Sequence, residues 1–297
     1  MRRKKNKANK AQLEFDFERK REPDRNHHLG GRSFYFFDFD DNVAYLSTPI
    51  VIFHKKDGKE KFISSGEFAR DGKKIGLGGH YKDFFLNFDD DKGSFRYFRD
   101  QEFNFFDRLK GKRQTFVQDI SKALDQKDYH WKAPSWNCFY HATFNKRPMS
   151  IITARGHENN TIKQGINLMV KSGHLPNNPN YLSIYPVSNP TTRRSLGDID
   201  LQSSVAELKR SAIRQSVEAA IKKYGHSPHH RFGMSDDDPK NVELITEEMR
   251  ELKRKYSDMA FFVFHTHENS FERYEIKYHS TRRKRATTER EAQMSLI

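Results

Sequence analysis

The chain has 297 residues, a formal net charge of +14 at pH 7, a hydrophobic share of 35% and one cysteine, Cys138. That length can bury a real core, the low apolar share leaves part of the chain solvated, and one cysteine excludes an internal disulfide framework and fits a reducing compartment. The longest apolar run, Met259 to Phe264, is too short to cross a bilayer, and no apolar stretch follows Arg2-Arg3-Lys4-Lys5, so the expected location is the cytoplasm.

Residues 1–33 hold 11 Lys/Arg against 5 Asp/Glu, and residues 277–297 hold 6 against 2. The two ends thus carry +10 of the +14, and both read as disordered basic arms, the first ending in Gly30-Gly31. Any contact with nucleic acid is expected there, weak and salt-dependent. Gln12-Leu13-Glu14-Phe15-Asp16-Phe17 loosely resembles peptides that dock on bacterial sliding clamps and is read as a chance apolar patch.

Phe34-Tyr35-Phe36-Phe37 then predicts a short strand buried on both faces, with Asp38 and Asp40 at its carboxyl end, where open α/β sheets bind ligands. Residues 47–146 are too many for a loop inside a compact domain and predict an insertion with structure of its own. Turn sequences at Lys56-Asp57-Gly58, Asp71-Gly72 and Asp91-Lys92-Gly93 separate runs such as Ile50 to Phe53 and Phe95 to Phe98, pointing to hairpins, and a helix is expected near Gln114 to Leu124. The insertion's many phenylalanines, among them Phe84, Phe85, Phe88, Phe95, Phe103, Phe105 and Phe106, are read first as its core and second as a base-stacking surface. Asn87 to Gly93 reads as an acidic turn rather than a calcium loop, its Gly standing one place late.

From Pro148 the pattern is regular. A strand over Met149 to Ile152 runs into Thr153-Ala154-Arg155-Gly156-His157, and Asn160 is placed to cap the next helix. Tyr181 to Tyr185 predicts a strand, and Ser204-Val205-Ala206-Glu207 is a capping-box sequence opening a helix that runs to Gly225. A strand at Arg231 to Met234 leads to Asp236-Asp237-Asp238-Pro239, whose last two residues open another helix, and Met259 to Phe264 is a fifth strand followed by His265-Thr266-His267. Strands alternating with helices predict an α/β fold with a doubly wound parallel sheet. The expected division is a core of residues 34–46 and 147–276, with 47–146 inserted as a mixed α+β cap.

Three stretches, Phe34 to Asn42, Met149 to His157 and Arg231 to Asn241, resemble in this order the first, second and fourth motifs of the haloacid dehalogenase superfamily. The resemblance implies a Rossmann-like core and, because Asp40 stands two residues after Asp38, phosphatase chemistry. The chain departs from the commonest pattern at Asp41-Asn42, where Gly and then Thr or Val are usual, and lacks a clear Gly before Asp236.

By that resemblance Asp38 is the nucleophile that forms an aspartyl-phosphate, and Asp40 protonates the leaving oxygen and later takes a proton from water. Mg2+ is the implied cofactor, a hard cation held by oxygen donors: Asp38, Asp236, the Asp40 carbonyl, and Asp237 as ligand or neighbour. Thr153, with Ala154 and Arg155, would meet the phosphoryl group. Lys209, early in the capped helix, would offset the charge, with Lys163 and Lys171 as competitors. His265 and His267 lack a third soft ligand and are read as polar neighbours. A phosphomutase, or a module that only recognises phosphate, stands as the alternative; phosphorylated nucleic-acid ends, small phosphometabolites and phosphoproteins are all open as substrates.

Overall fold

Alternate residues of a strand face opposite sides of its sheet, and in β1 (Ser33–Phe37) every residue is buried. The computed structural model describes residues 20–126, 130–267 and 270–277. After β1 the chain forms β2 (Ile50–His54), β3 (Glu60–Ile63), α1 (Ser65–Asp71), β4 (Phe84–Phe85), α2 (Phe105–Leu109), α3 (Thr115–Leu124) and α4 (Trp136–Phe144). There follow β5 (Pro148–Thr153), α5 (Asn159–Lys171), β6 (Asn180–Pro186), α6 (Pro190–Ser195), α7 (Val205–Tyr224), β7 (Arg231–Asp236), α8 (Pro239–Lys255), β8 (Ala260–His267) and β9 (Ser270–Glu275).

The fold is α/β, with a mostly parallel six-stranded sheet ordered β6-β5-β1-β7-β8-β9. The first five strands are parallel, and β9 runs antiparallel on β8. From β1 the chain builds outward to β5 and β6 on one side, then crosses back to β7 and β8 on the other. The carboxyl ends of β1, β5 and β7 therefore meet at the switch point, where such sheets open a crevice.

Both faces of the sheet are covered. Helices α7 and α8 pack Ala212, Ile213, Val217, Ile245 and Met249 on Phe34, Phe36, Phe232 and Phe261. On the other face α3, α4 and α5 pack Phe116, Ile120, Phe139, Ile162 and Ile166 against Tyr35, Phe37, Met149 and Ile151. Phenylalanines buried this completely contribute about 1.5–3 kcal/mol each. Ser204 caps α7 by accepting from the Glu207 N–H while Glu207 accepts from the Ser204 N–H, and Asp238 caps α8, with Pro239 opening it.

The structure differs from the sequence reading in four places. The folded chain begins before residue 33: Asp24 is buried, accepts from the Ser33 N–H and pairs with the equally buried Arg147 at 2.8 Å, because a buried guanidinium needs a carboxylate. The rest of the amino-terminal arm, with the Gln12 to Phe17 patch, and the basic tail from residue 278 lie outside the described residues. The segment 47–146 divides, since α3 and α4 belong to the main sheet's cover, while β2, β3 and β4 form a separate antiparallel sheet ordered β3-β2-β4 over a small core of Ile50, Ile52, Ile63 and Tyr81. Arg96–Phe98 is a 3-10 turn instead of a strand, and Glu158 takes the cap position of α5 in place of Asn160. Asn87 to Gly93 is an acidic turn, the Asp89 carboxylate accepting from the N–H groups of Asp91 and Lys92.

Candidate active site

The ends of β1 and β7 and the second turn of α7 bring three charged groups into contact. Lys209 Nζ donates to Asp38 Oδ1 at 3.0 Å and to Asp236 Oδ2 at 2.6 Å, and all three residues are buried. The other Asp236 oxygen accepts from the Asp238 N–H and from Asn241 Nδ2. Asp237 completes the group: carboxylate oxygens of Asp38, Asp236 and Asp237 lie within 4.8 Å of one another. Of the three lysines weighed from sequence, Lys209 is the one at the site; Lys163 lies over the Tyr181 ring.

Three carboxyl groups share one ammonium here, so ionising all three would leave the pocket two negative charges in excess. Burial raises the Asp38 carboxyl well above the ordinary range, with Lys209 opposing the rise and Asp236 adding to it. Burial, then repulsion from Asp236, pushes Asp237 up to about 7, and burial, then Asp40, pushes Asp41 up to about 6. Burial alone would lower Lys209, but Asp236 and Asp38 outweigh it and hold its ammonium above the usual lysine value. The donor set is all oxygen and short of positive charge, which is what a hard divalent cation requires. His265 and His267 lie outside this acidic group.

Asp40 belongs to a second set of contacts. Arg155 grips its carboxylate twice, Nε to Oδ2 at 2.8 Å and Nη2 to Oδ1 at 2.6 Å, and the Thr153 hydroxyl donates to Oδ2 at 3.4 Å. The guanidinium lies between the rings of Phe98 and Phe116, 4.9 and 4.8 Å from their centroids, and also donates to Thr48 Oγ1. Its side chain is 1% exposed, so it is committed to Asp40 and does not face a substrate as the sequence reading expected. Of the phosphate-meeting stretch, Ala154 is the exposed residue, and Thr153 is fully buried.

His157 and Asn42 extend the site. His157 Nε2 accepts from Arg155 Nη1 at 3.3 Å, so its Nδ1–H donates to Asp100 Oδ1 at 2.8 Å and the ring is neutral. Burial lowers the His157 pKa, which agrees with that state. Asp100 also accepts from the Thr161 hydroxyl and the Glu158 N–H, and the Gly156 N–H donates to the Phe98 carbonyl, fastening 98–100 onto the loop after β5. Asn42, which the sequence showed merely as a departure from a pattern, is wholly buried. Its Nδ2 donates to the Asp38 and Ser235 carbonyls and to Ser235 Oγ, and its Oδ1 accepts from Ser135 and Thr266. It ties the backbone of Asp38 to β7, β8 and α4. Asp41 has a φ of 55°, the left-handed conformation that the usual Gly would adopt freely and that Asp tolerates better than most residues.

Compared with family models, with curated proteins and with solved structures, the chain finds no match.

Proposed function

We propose that this chain is a magnesium-dependent phosphohydrolase that cleaves phosphate monoesters through an aspartyl-phosphate. The observation that carries the reading is the buried group of Asp38, Asp236 and Asp237 with Lys209 at the sheet's switch point, next to Asp40. Magnesium, held by those three carboxylates and the Asp40 carbonyl, would neutralise the excess charge and draw electron density from the phosphoryl oxygens. A site that only recognised phosphate would have no use for an uncompensated acidic pocket beneath it.

In this reading a free Asp38 oxygen attacks phosphorus and the ester P–O bond breaks, the leaving oxygen taking a proton delivered through Asp40. Water then attacks the aspartyl-phosphate, Asp40 takes the proton that water loses, and the acyl-phosphate bond breaks to release inorganic phosphate. Lys209 holds Asp38 in one rotamer, and Arg155 with Thr153 holds Asp40. Asn42 fixes the strand end from which both carboxylates project. The lobe built on β2, β3 and β4 acts as the cap, because residues 98–100 reach the Arg155 loop and bring it against the site.

The test is phosphate release from an aryl phosphate and from alkyl phosphates, with magnesium and with excess chelator. Asp38→Asn should abolish turnover while the protein stays folded. Asp40→Asn should slow alkyl phosphates by about 10²–10⁴-fold and the aryl ester, whose leaving group needs no proton, much less. Turnover by Asp38→Asn, or full activity in chelator, refutes the proposal.

A further inference from the structure

The two rings that enclose Arg155 come from the two ends of one surface loop. Phe98 precedes it and Phe116 follows it, and its neck is closed by a reciprocal pair: the Gln101 N–H donates to Gln114 Oε1, and Gln114 Nε2 donates to the Gln101 carbonyl, both at 2.8 Å. Such closed, compact loops are frequently functional.

The loop carries what a folded chain ordinarily buries. Phe105 and Phe106 are each 69% exposed and Leu109 68%, on the short helix α2. The expectation that these phenylalanines fill a core fails here, and also at Phe85 and Phe88 in the lobe, although it holds for Phe84, Phe95 and Phe98, which pack there. Cations are interleaved with the rings. Residues 103–113 hold four Lys/Arg against one Asp; Lys110, Lys112 and Arg113 are exposed, with Lys112 over the Phe103 ring at 5.0 Å. Across residues 50–114 the excess is +4, as large as the whole excess between residues 34 and 276.

We propose that this loop binds single-stranded nucleic acid, and that the phosphoryl group removed at the site is carried on the end of such a strand; the second half of this rests on the phosphohydrolase reading above. Bare rings next to cations meet the two things a single strand offers together, unstacked bases with an apolar face and a phosphate at every step. An acidic peptide supplies the charge without the planar faces. A membrane surface would engage the loop tip alone, whereas basic charge recurs at both chain ends, which hold +10 of the +14. The loop's flanking rings, Phe98 and Phe116, hold the guanidinium that grips Asp40, so the loop is anchored at the site, and on this proposal a strand stacked on Phe105 and Phe106 runs from the loop toward that carboxylate.

The experiment uses the full chain with magnesium and four phosphate donors: oligothymidylates phosphorylated at the 5′ or the 3′ end, thymidine monophosphate and an aryl phosphate. The oligonucleotides should be preferred to the mononucleotide. Phe105→Ala/Phe106→Ala should raise KM for the oligonucleotides about tenfold or more and leave the aryl phosphate and the melting temperature unchanged, since both rings are exposed. Lys110→Ala/Arg113→Ala should lower the salt slope of binding by roughly two. Equal use of oligonucleotide and mononucleotide, unaltered oligonucleotide kinetics in the ring variant, or capture by anionic phospholipid vesicles in preference to oligonucleotide overturns the proposal. If no donor is hydrolysed, the phosphohydrolase reading falls by itself. Fluorescence anisotropy with a labelled oligothymidylate then decides the binding half, which stands if the ring variant weakens binding and falls if it does not.

Discussion

Replacing Lys209 with methionine perturbs the centre of the charge arrangement and little else. Methionine has nearly the volume of lysine, so repacking costs less than about 1.5 kcal/mol. What disappears is the ammonium that donates to both Asp38 and Asp236. Removing one partner of a buried ion pair costs about 3–5 kcal/mol, and here two buried carboxylates lose theirs together, so the upper part of that range is expected in chelator at about pH 8. The pH dependence separates charge from packing. Burial raises Asp38, and burial with Asp236 raises Asp237 to about 7. Carboxyls that hold protons more tightly in the folded than in the unfolded chain make the folded state lose stability as pH climbs from the ordinary carboxylate range to their raised values. Without the ammonium those values rise further, so the deficit of Lys209→Met should be largest above about pH 7 and shrink at about pH 5, where protonation relieves the repulsion. Urea titrations of wild type and variant at both pH values, with the slope m checked for constancy, give the difference. A deficit under about 1 kcal/mol at the higher pH, or one equal at both, would refute the argument, because a buried pair broken from one side cannot be that cheap.

Three further outcomes are expected. Asp41→Gly should raise stability by about 0.5–1 kcal/mol in thermal melts, since glycine adopts the φ of 55° without strain and the change also removes a half-buried acid. Gly165→Ala should cost about 1–3 kcal/mol, because the new methyl would stand 2.4 Å from Phe116 Cε1; Phe116 also lies against Arg155, so activity should fall along with stability, and a change in stability alone would separate the two. His157 resists protonation in the folded protein, so its contribution to stability is complete above about pH 6.5 and is lost as pH falls below that value; His157→Gln should flatten this limb in denaturant titrations across the range.

The parts of the fold that could be read from sequence were those fixed by local chemistry. The capping box at Ser204, the Asp238-Pro239 helix start, and the alternation of strand and helix after Pro148 each follow from a few neighbouring residues, and α7, α8 and the parallel strands form where that chemistry put them. What stayed hidden depended on partners far along the chain. The sequence reading names no helix over residues 136–144, where Trp136, Phe139 and Ala142 are buried in one cluster with Val43, Ala44, Trp131 and, from α3, Phe116 and Ile120. Among the site residues, Lys209 could be placed because the turn it occupies is set by its own cap five residues earlier. The role of Asn42 could not, since its partners at Ser135, Ser235 and Thr266 lie 93 to 224 residues away.

Arg155 shows most directly why long-range structure changes a functional reading. A cation two residues after Thr153 reads from sequence as a phosphate ligand, and the same side chain becomes a positioning group once Phe98 and Phe116 close over it. The two readings predict opposite behaviour for lysine in its place. A phosphate ligand needs chiefly a point charge, which lysine supplies, whereas a bidentate grip on Asp40 between two rings needs the planar fork. If Asp40 is the proton carrier, a looser grip moves it relative to the leaving oxygen. The loss should then concentrate in kcat for esters with poor leaving groups, with KM and the aryl ester little changed, whereas a lost phosphate contact would raise KM for every ester alike. The distribution of the effect among substrates thus reports whether Arg155 acts on the substrate or through Asp40, and the geometry of two parallel hydrogen bonds to that carboxylate supports the second.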